Sequence, residues 1–504
     1  MNMIPGLKRG PIVASILIGA FVAILSQTLL NVALPTMMED LNISANTIQW
    51  LSTGYLLVNG VLVPISAYLI ERFSTRQLFI TAMSLFTAGT VIAAFAPGFE
   101  LLLTGRLVQA AGAGILMPLM TIIFLTIFPV EERGKAMGTM GIAMIFAPAI
   151  GPTLSGWIIQ HHSWRVLFYI VLPLSVIALI FGFIYMKNVT ERSKPKLDLP
   201  GVILSTLGFG GLLYGFSDAG NHGWSSTTVQ ASLIIGGIAL VLFIVRELTA
   251  KHPILQFRVF RYDMFSLTTL INAIVTMALF SGMILLPIYT QRILGFTPLK
   301  SGLLLMPGAL LMGIMMPITG AIFDKIGARW LAVLGLSITA LSTYEFTRLT
   351  LDTSYTYIML MYTLRSFGMA LLMMPIQTAG LNQLPPSLNA HGSAMSQTLR
   401  NVSGALGTAF LITIMTNTAA DRGKELMISG QIAPTDALKV AEITREATVY
   451  GINHAFVIAT WMTVAAVVLS FFIRRVKPHQ QTGSAVEAVK DEINKATQIP
   501  SAAK

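Results

Sequence analysis

Residues 101–128, LLLTGRLVQAAGAGILMPLMTIIFLTIF, form an apolar run long enough to cross a lipid bilayer, yet Arg106 lies inside it. A cation near the centre of a membrane helix costs on the order of 3 kcal/mol by insertion scales, so it faces a protein interior or a wet cavity and not lipid. One helix supplies neither, so Arg106 requires a bundle around it. Gln109, three residues on, shares its face, and the small residues 110–114 let another helix approach closely. Residues 362–378, YTLRSFGMALLMMPIQT, echo this stretch: Thr104, Arg106, Met117 and Pro118 find counterparts in Thr363, Arg365, Met374 and Pro375.

Composition agrees. Of 504 residues, 54% are hydrophobic and 11% charged, whereas a soluble domain carries about 25% charged residues. The chain is therefore an integral membrane protein. Its net charge of +11 reflects the lysine and arginine that membrane proteins collect on their cytoplasmic side, and no nucleic-acid partner is expected. Cysteine is absent, which excludes disulfides and thiolate metal sites. Lys8 and Arg9 precede an apolar run too long for a signal-peptide core, so that run is expected to stay as the first span.

Fourteen stretches are long enough to span: 11–34, 47–70, 77–96, 101–128, 135–159, 164–186, 199–216, 229–245, 265–291, 301–323, 329–349, 354–381, 394–418 and 451–473. With the N-terminus inside, 22 of the 33 lysines and arginines fall in inner segments and 8 in outer ones, which places both termini in the cytoplasm. Residues 419–452 read as the only long outer loop. The halves repeat: PISAYLIERFSTR at 64–76 matches PITGAIFDKIGAR at 317–329 at an offset of 253, the arginines match at 259, and Gly134, Ala136 and Met137 match Gly392, Ala394 and Met395 at 258. The expected organisation is an all-α membrane fold. A six-helix unit at 1–187 and its copy at 265–473 flank a linker, 188–264, that carries two inserted spans, and a loose cytoplasmic tail occupies 474–504. Two parallel repeats imply a cavity between them and rocking, alternating access.

These residues resemble the major facilitator superfamily and, within it, the fourteen-helix drug:proton antiporters. The resemblance implies a cytoplasmic gate in each half: Glu71, Arg72 and Arg76 in the first copy, Asp324, Lys325 and Arg329 in the second. The second copy follows the family pattern, whereas Ala67, Glu71 and Ser74 stand where glycine, aspartate and glycine are usual. Arg106 with Gln109 resembles the family's fourth-helix motif, which implies a part in proton coupling, with Arg365 and Arg400 as companions. Pro148, Gly151, Pro152 and Gly156 resemble the antiporter motif of the fifth span, which implies close packing against the other half during gating. Trp164, Arg165, Phe168 and Pro173 match a stretch at the mouth of the sixth. LSQTLLNVALP at 25–35 resembles the first-helix motif, with Ser26 where an aspartate is usual. TGYLL at 53–57, FAPAIGP at 146–152 and GLNQLPP at 380–386 are similar to the lincomycin-resistance branch, which implies export of drugs or amphiphilic metabolites from a bacterial cytoplasmic membrane.

If spans one, two, four and five and their counterparts nine, ten, twelve and thirteen line the cavity, substrate would meet Gln27, Asn31, Tyr55, Asn59, Tyr289, Met369, Met373, Gln377 and Gln397. None of those spans has a carboxylate in its interior, while Arg106, Arg365 and Arg400 are cations. A buried carboxylate is what offsets the desolvation of a lipophilic cation, so neutral, zwitterionic or anionic amphiphiles are expected instead. The expected partners are these compounds, protons and lipid; no cofactor is expected, and a monomer suffices. No glycine-rich phosphate loop supports an ATP-driven pump. A membrane-embedded enzyme would need a metal or nucleophile constellation, which the adjacent His161 and His162 do not make. The missing first-helix carboxylate leaves a proton-independent facilitator as the alternative.

Overall fold

The computed structural model describes residues 9–43, 45–190, 198–250, 253–429 and 437–474. Fourteen α-helices run through them: α1 (Arg9–Asp40), α2 (Ala45–Arg72), α3 (Thr75–Ala94), α4 (Phe99–Ile127), α5 (Arg133–His161), α6 (Arg165–Tyr185), α7 (Leu199–His222), α8 (Thr227–Thr249), α9 (Asp263–Ile288), α10 (Pro298–Ile326), α11 (Ala328–Glu345), α12 (Tyr355–Asn382), α13 (Asn389–Ser429) and α14 (Ala437–Ser470). Thirteen are long and apolar enough to cross a membrane; α11, with 18 residues, is the remaining one. Helices prevail because a bilayer core offers no water to satisfy backbone N–H and C=O groups, and a helix satisfies them within itself.

Successive helices alternate direction. The face where α1 begins and α14 ends, here the terminal face, also carries the Arg9–Glu132 and Arg246–Asp198 ion pairs. The opposite face carries the bonds from Trp164 and Arg165 to Asp40. Those bonds hold the Asp40 carboxyl below its usual range, the Trp164 indole N–H contributing most.

Within the first half α1 packs on α5 and α6, α3 on α4 and α6, and α2 on α4. The second half repeats the pattern: α9 on α13 and α14, α11 on α12 and α14, α10 on α12. The halves meet along two seams, α5 against α10 and α2 against α13, with the first the more extensive. The inserted helices are not symmetric additions. Helix α7 lies against both α2 and α13, beside the narrower seam, with α8 packed on its outer side. Trp50 of α2 stacks on Tyr214 of α7 at 5.7 Å, and the Trp224 indole N–H donates to Thr413 Oγ1 of α13 at 2.5 Å.

One sequence expectation is overturned. The outer segment 419–452 is largely helical: α13 continues to Ser429 and α14 starts at Ala437. The two extensions lie side by side, as an added methyl at Gly423 would sit 3.7 Å from Ala447 Cβ. Mixed charge reads as loop under hydropathy, but here it forms spaced pairs such as Arg422–Glu425, which favour helix. The expected tail falls almost wholly outside the described residues, as does 191–197 of the linker.

Candidate functional site

Arg106 is fully buried among α1, α2, α3 and α4. Its Nη1 donates to Gln109 Oε1 at 2.7 Å and to Ser26 Oγ of α1 at 3.3 Å. Gln109 Nε2 donates in turn to Thr90 Oγ1 of α3 at 2.7 Å. The guanidinium carbon stands 4.3 Å from the ring centre of Tyr55 on α2, a cation–π contact. Arg106 Nε and Nη2 have no hydrogen-bond partner. Ser26, noted in the sequence as a departure, is thus one wall of the arginine's enclosure.

The twin is placed alike. Arg365 of α12 is buried, with Nε donating to Thr343 Oγ1 of α11 at 3.2 Å and Nη2 to the Ala278 carbonyl of α9 at 2.8 Å. Thr90 and Thr343 are counterparts at an offset of 253. Gly282, the counterpart of Ser26 at an offset of 256, makes room for the guanidinium; an added methyl would sit 2.9 Å from Arg365 Cζ. Both arginines lie inside their own half, between its first, third and fourth helices. The expectation that they face a vestibule between the halves is corrected: packing within each half encloses them, with Tyr55 of α2 closing over Arg106. Arg400 differs. It is half-buried on α13, about 17 Å into the helix at 1.5 Å per residue, and its Nη2 donates to Gln397 Oε1 at 2.7 Å. Gln397 Nε2 continues to Asn401 Oδ1 at 3.3 Å.

The other expected substrate residues divide. Gln27, Asn59, Met373 and Gln377 are half-buried, and Asn31 is exposed, accepting from Ser52 Oγ at 2.8 Å. Tyr55 is buried under Arg106 and Met369 is in the core, so neither presents a surface to a ligand. Tyr289 is also removed from the expected lining. It opens a π-turn, Tyr289–Ile293, packs in a separate cluster with Phe346 and Phe456 near the opposite face, and its hydroxyl donates to the Thr350 carbonyl.

At the terminal face the second gate copy crosses between halves. Asp324 Oδ1 and Oδ2 accept from the backbone N–H groups of Gly134 and Lys135, at 2.8 and 2.9 Å, at the start of α5. The first turn of a helix has unpaired N–H groups and a partial positive charge, so a carboxylate there is favoured. Lys325 and Arg329 are exposed on that face, and Arg329 lies over Trp330 of its own helix. In the first copy Arg72 is exposed, and Arg76 stays within its half, donating from Nη2 to the Phe183 carbonyl at 2.7 Å. Glu71 is the residue that crosses: its Oε1 is 2.9 Å from His391 Nε2 on α13.

The departures of the first copy now have physical reasons. Gly327, between α10 and α11, has φ of 84°, a left-handed conformation that favours glycine. Its counterpart Ser74 has φ of −72° and caps α3, accepting from Gln77 N at 3.2 Å. At Gly320 an added methyl would stand 2.6 Å from the Gly134 carbonyl carbon and 3.0 Å from Lys135 Cα. Ala67, its counterpart on α2, is fully buried, and its methyl is accommodated there. Glu71 is one methylene longer than the usual aspartate, and it meets a side chain instead of a backbone.

The fifth-span motif needs correction. Gly151 does not face the other half; an added methyl would sit 2.7 Å from Thr28 Cβ of α1. Thr28 Oγ1 donates to the Ala147 carbonyl and Ser155 Oγ to the Leu29 carbonyl, so the motif joins α5 to α1. Gly156 meets nothing within 4 Å. Pro152 alone of the three approaches α10, near Gly302. The glycines in tight cross-half contact are Gly134, Gly138 and Gly141 of α5 with Gly313 and Gly320 of α10: a methyl at Gly138 would sit 2.8 Å from Pro317 Cα. Their sequence signal was the small-xxx-small spacing of Gly134 and Gly138. His391 had a weaker one, its alignment with Arg133 at the repeat offset of 258.

Two six-helix halves with paired buried arginines and paired acidic side chains bridging them on one face are a transporter's anatomy, and comparison with known proteins agrees. Residues 16–408 match the Major Facilitator Superfamily. The chain belongs to that family. The transporter is 51% identical to the uncharacterized MFS-type transporter YhcA of Bacillus subtilis (strain 168) over 91% of this chain and 92% of that one. It is 45% identical to the lincomycin resistance protein LmrB of the same organism, over 93% of this chain and 97% of that one. The human organic anion transporter MFSD10 superposes with a TM-score of 0.65 at 13% identity, covering 92% of this chain and 99% of that one, which establishes the shared fold. The protein is a multi-pass membrane transporter, not an enzyme.

Proposed function

We propose that this transporter exports amphiphilic compounds, antibiotics among them, from the bacterial cytoplasm by proton-coupled antiport. The observation that carries the proposal is the relation to the lincomycin resistance protein over nearly the whole length of both chains. The terminal face is then cytoplasmic, as its lysine and arginine content suggests, and the seams α5–α10 and α2–α13 open there to load substrate. Arg106, Gln109, Arg365 and Arg400 take part in proton coupling. The substrate path runs past the polar side chains that keep accessible surface, Gln27, Asn31, Asn59, Gln377, Gln397 and Arg400, together with Met373. With the Arg400 guanidinium on it and no carboxylate in the interior of the spans that line it, the path favours neutral, zwitterionic or anionic amphiphiles over quaternary cations. The chain acts as a monomer, since one copy holds both halves.

The test is transport in inverted membrane vesicles with an imposed proton gradient and a panel that includes lincomycin, an anionic dye and tetraphenylphosphonium. Gradient-dependent uptake of lincomycin or the dye, abolished by a protonophore, is expected. Selective uptake of tetraphenylphosphonium overturns the charge preference. Uptake indifferent to the gradient favours a second reading, a proton-independent facilitator, which the hydroxyl of Ser26 in place of a first-helix carboxylate supports.

A further inference from the structure

We propose that His391, at the start of α13, is a proton-operated latch that ties the two halves together at the terminal face through Glu71. The proposal rests on the alternating-access reading above and adds a control point to it. His391 is 2% exposed, and its Nε2 lies 2.9 Å from Glu71 Oε1 of α2. Its other nitrogen, Nδ1, faces the backbone N–H of Gln256 at 3.4 Å. Because that amide can only donate, the neutral ring carries its proton on Nε2 and donates it to Glu71. A second proton enters at Nδ1, makes the ring a cation beside the Glu71 carboxylate, and displaces the Gln256 amide.

The exchange favours closure. The Gln256 contact is at the long limit of a hydrogen bond and contributes little. The Glu71 contact changes from a bond between a neutral donor and an anion to an ion pair between a buried ring and a partly exposed carboxylate, the stronger kind.

Among the described residues, Glu247 of α8 is a further titratable group near this site. Its Oε2 accepts from the Leu255 N–H at 2.9 Å, one residue before Gln256, and its Oε1 is buried with no hydrogen-bond partner. Behind it Arg246 holds Asp198, the residue before α7, with Nε 2.8 Å from Oδ2. The α8–α9 connection, displaced when Nδ1 is protonated, therefore borders a buried carboxyl group with one oxygen unpartnered. The two seams are closed by different chemistry. Asp324 on backbone N–H groups has no partner that titrates near neutrality, whereas histidine changes charge between about pH 5 and 8. Acidification of the cytoplasm would hold the α2–α13 seam shut and slow further proton entry.

The chain has no cysteine, so site-directed spin labels can be attached without background. Labels at Phe73→Cys and Ser387→Cys, both exposed at this face on either side of the seam, report its opening in lipid nanodiscs by pulsed dipolar spectroscopy. Between pH 8.5 and 5.5 the ratio of open to closed distances is expected to fall about twofold to fivefold, the gain when a partly exposed carboxylate that already accepts a hydrogen bond acquires a cationic partner. H391Q, which keeps a donor for Glu71 but does not titrate in this range, is expected to remove the pH response. Should H391Q fail to fold, E71Q is expected to flatten it as well, since the protonated ring then gains no ion pair. An unchanged response in H391Q, no response in the parent, or widening on acidification overturns the latch. The readout contains no transport step, so loss of gradient dependence in vesicles would remove antiport and leave the latch standing.

Discussion

Replacing Gly320 by alanine adds one methyl where α10 crosses α5. That methyl would stand 2.6 Å from the carbonyl carbon of Gly134 and 3.0 Å from Lys135 Cα, against an ordinary carbon–carbon separation of about 3.5 to 4.0 Å. The obstructing atoms are backbone, so no rotamer change relieves them, and the helices must part by about 1 Å. Overpacking of this kind costs about 1 to 3 kcal/mol. The cost falls on the arrangement in which the seam is shut, because Gly320 has no such neighbour once the halves separate. Separation also strains the two bonds from Gly134 and Lys135 to Asp324. The closed state should therefore lose between about fivefold and a hundredfold in population, at 1.4 kcal/mol per factor of ten. Spin labels at Lys135→Cys and Lys325→Cys, exposed on either side of the seam, read this as growth of a longer distance in G320A. Gly156→Ala, which meets nothing within 4 Å, is the control and should leave the distribution unchanged. Unaltered distances in a folded, monodisperse G320A protein would refute the claim that backbone contact at this glycine sets seam closure.

Asp324→Ala removes the acceptor for two α5 N–H groups and should open the same seam by about 1 kcal/mol, with Asp324→Asn milder, on the same label pair. Gln109→Leu leaves Arg106 Nη1 with only the 3.3 Å contact to Ser26 and should destabilise the first half by about 1 to 3 kcal/mol, seen as earlier thermal unfolding in detergent and as lost transport. Asp40, its carboxyl held below the usual range by Trp164 and Arg165, contributes stability above ordinary carboxylate pH that disappears as pH falls through its lowered value. The α1–α6 tie should accordingly hold at neutral pH and fail below about pH 4, and Asp40→Asn should remove that component from the acid-unfolding curve.

Hydropathy and the repeat determined most of the architecture. A bilayer accepts only segments that satisfy their own backbone, so apolar runs of the right length map onto helices within a few residues, as α3 and α12 do. The offset of 253 to 259 residues placed Arg106 opposite Arg365 and Glu71 opposite Asp324 before any coordinates. Pattern alone left open which neighbour each face meets. Glycine spacing on α5 reads the same whether it faces α1 or α10, so the pattern does not tell that Gly151 meets α1 and Gly134 meets α10. Polar residues of α1, α2 and α9 read alike whether they line a path or close a turn, and only packing separated Asn31 from Tyr289. The approach of α13 to α2 brings His391 to Glu71 across 320 positions of chain. Periodicity is a property of one helix, whereas a contact belongs to two, and so the chemistry across the seams was decided by the tertiary structure.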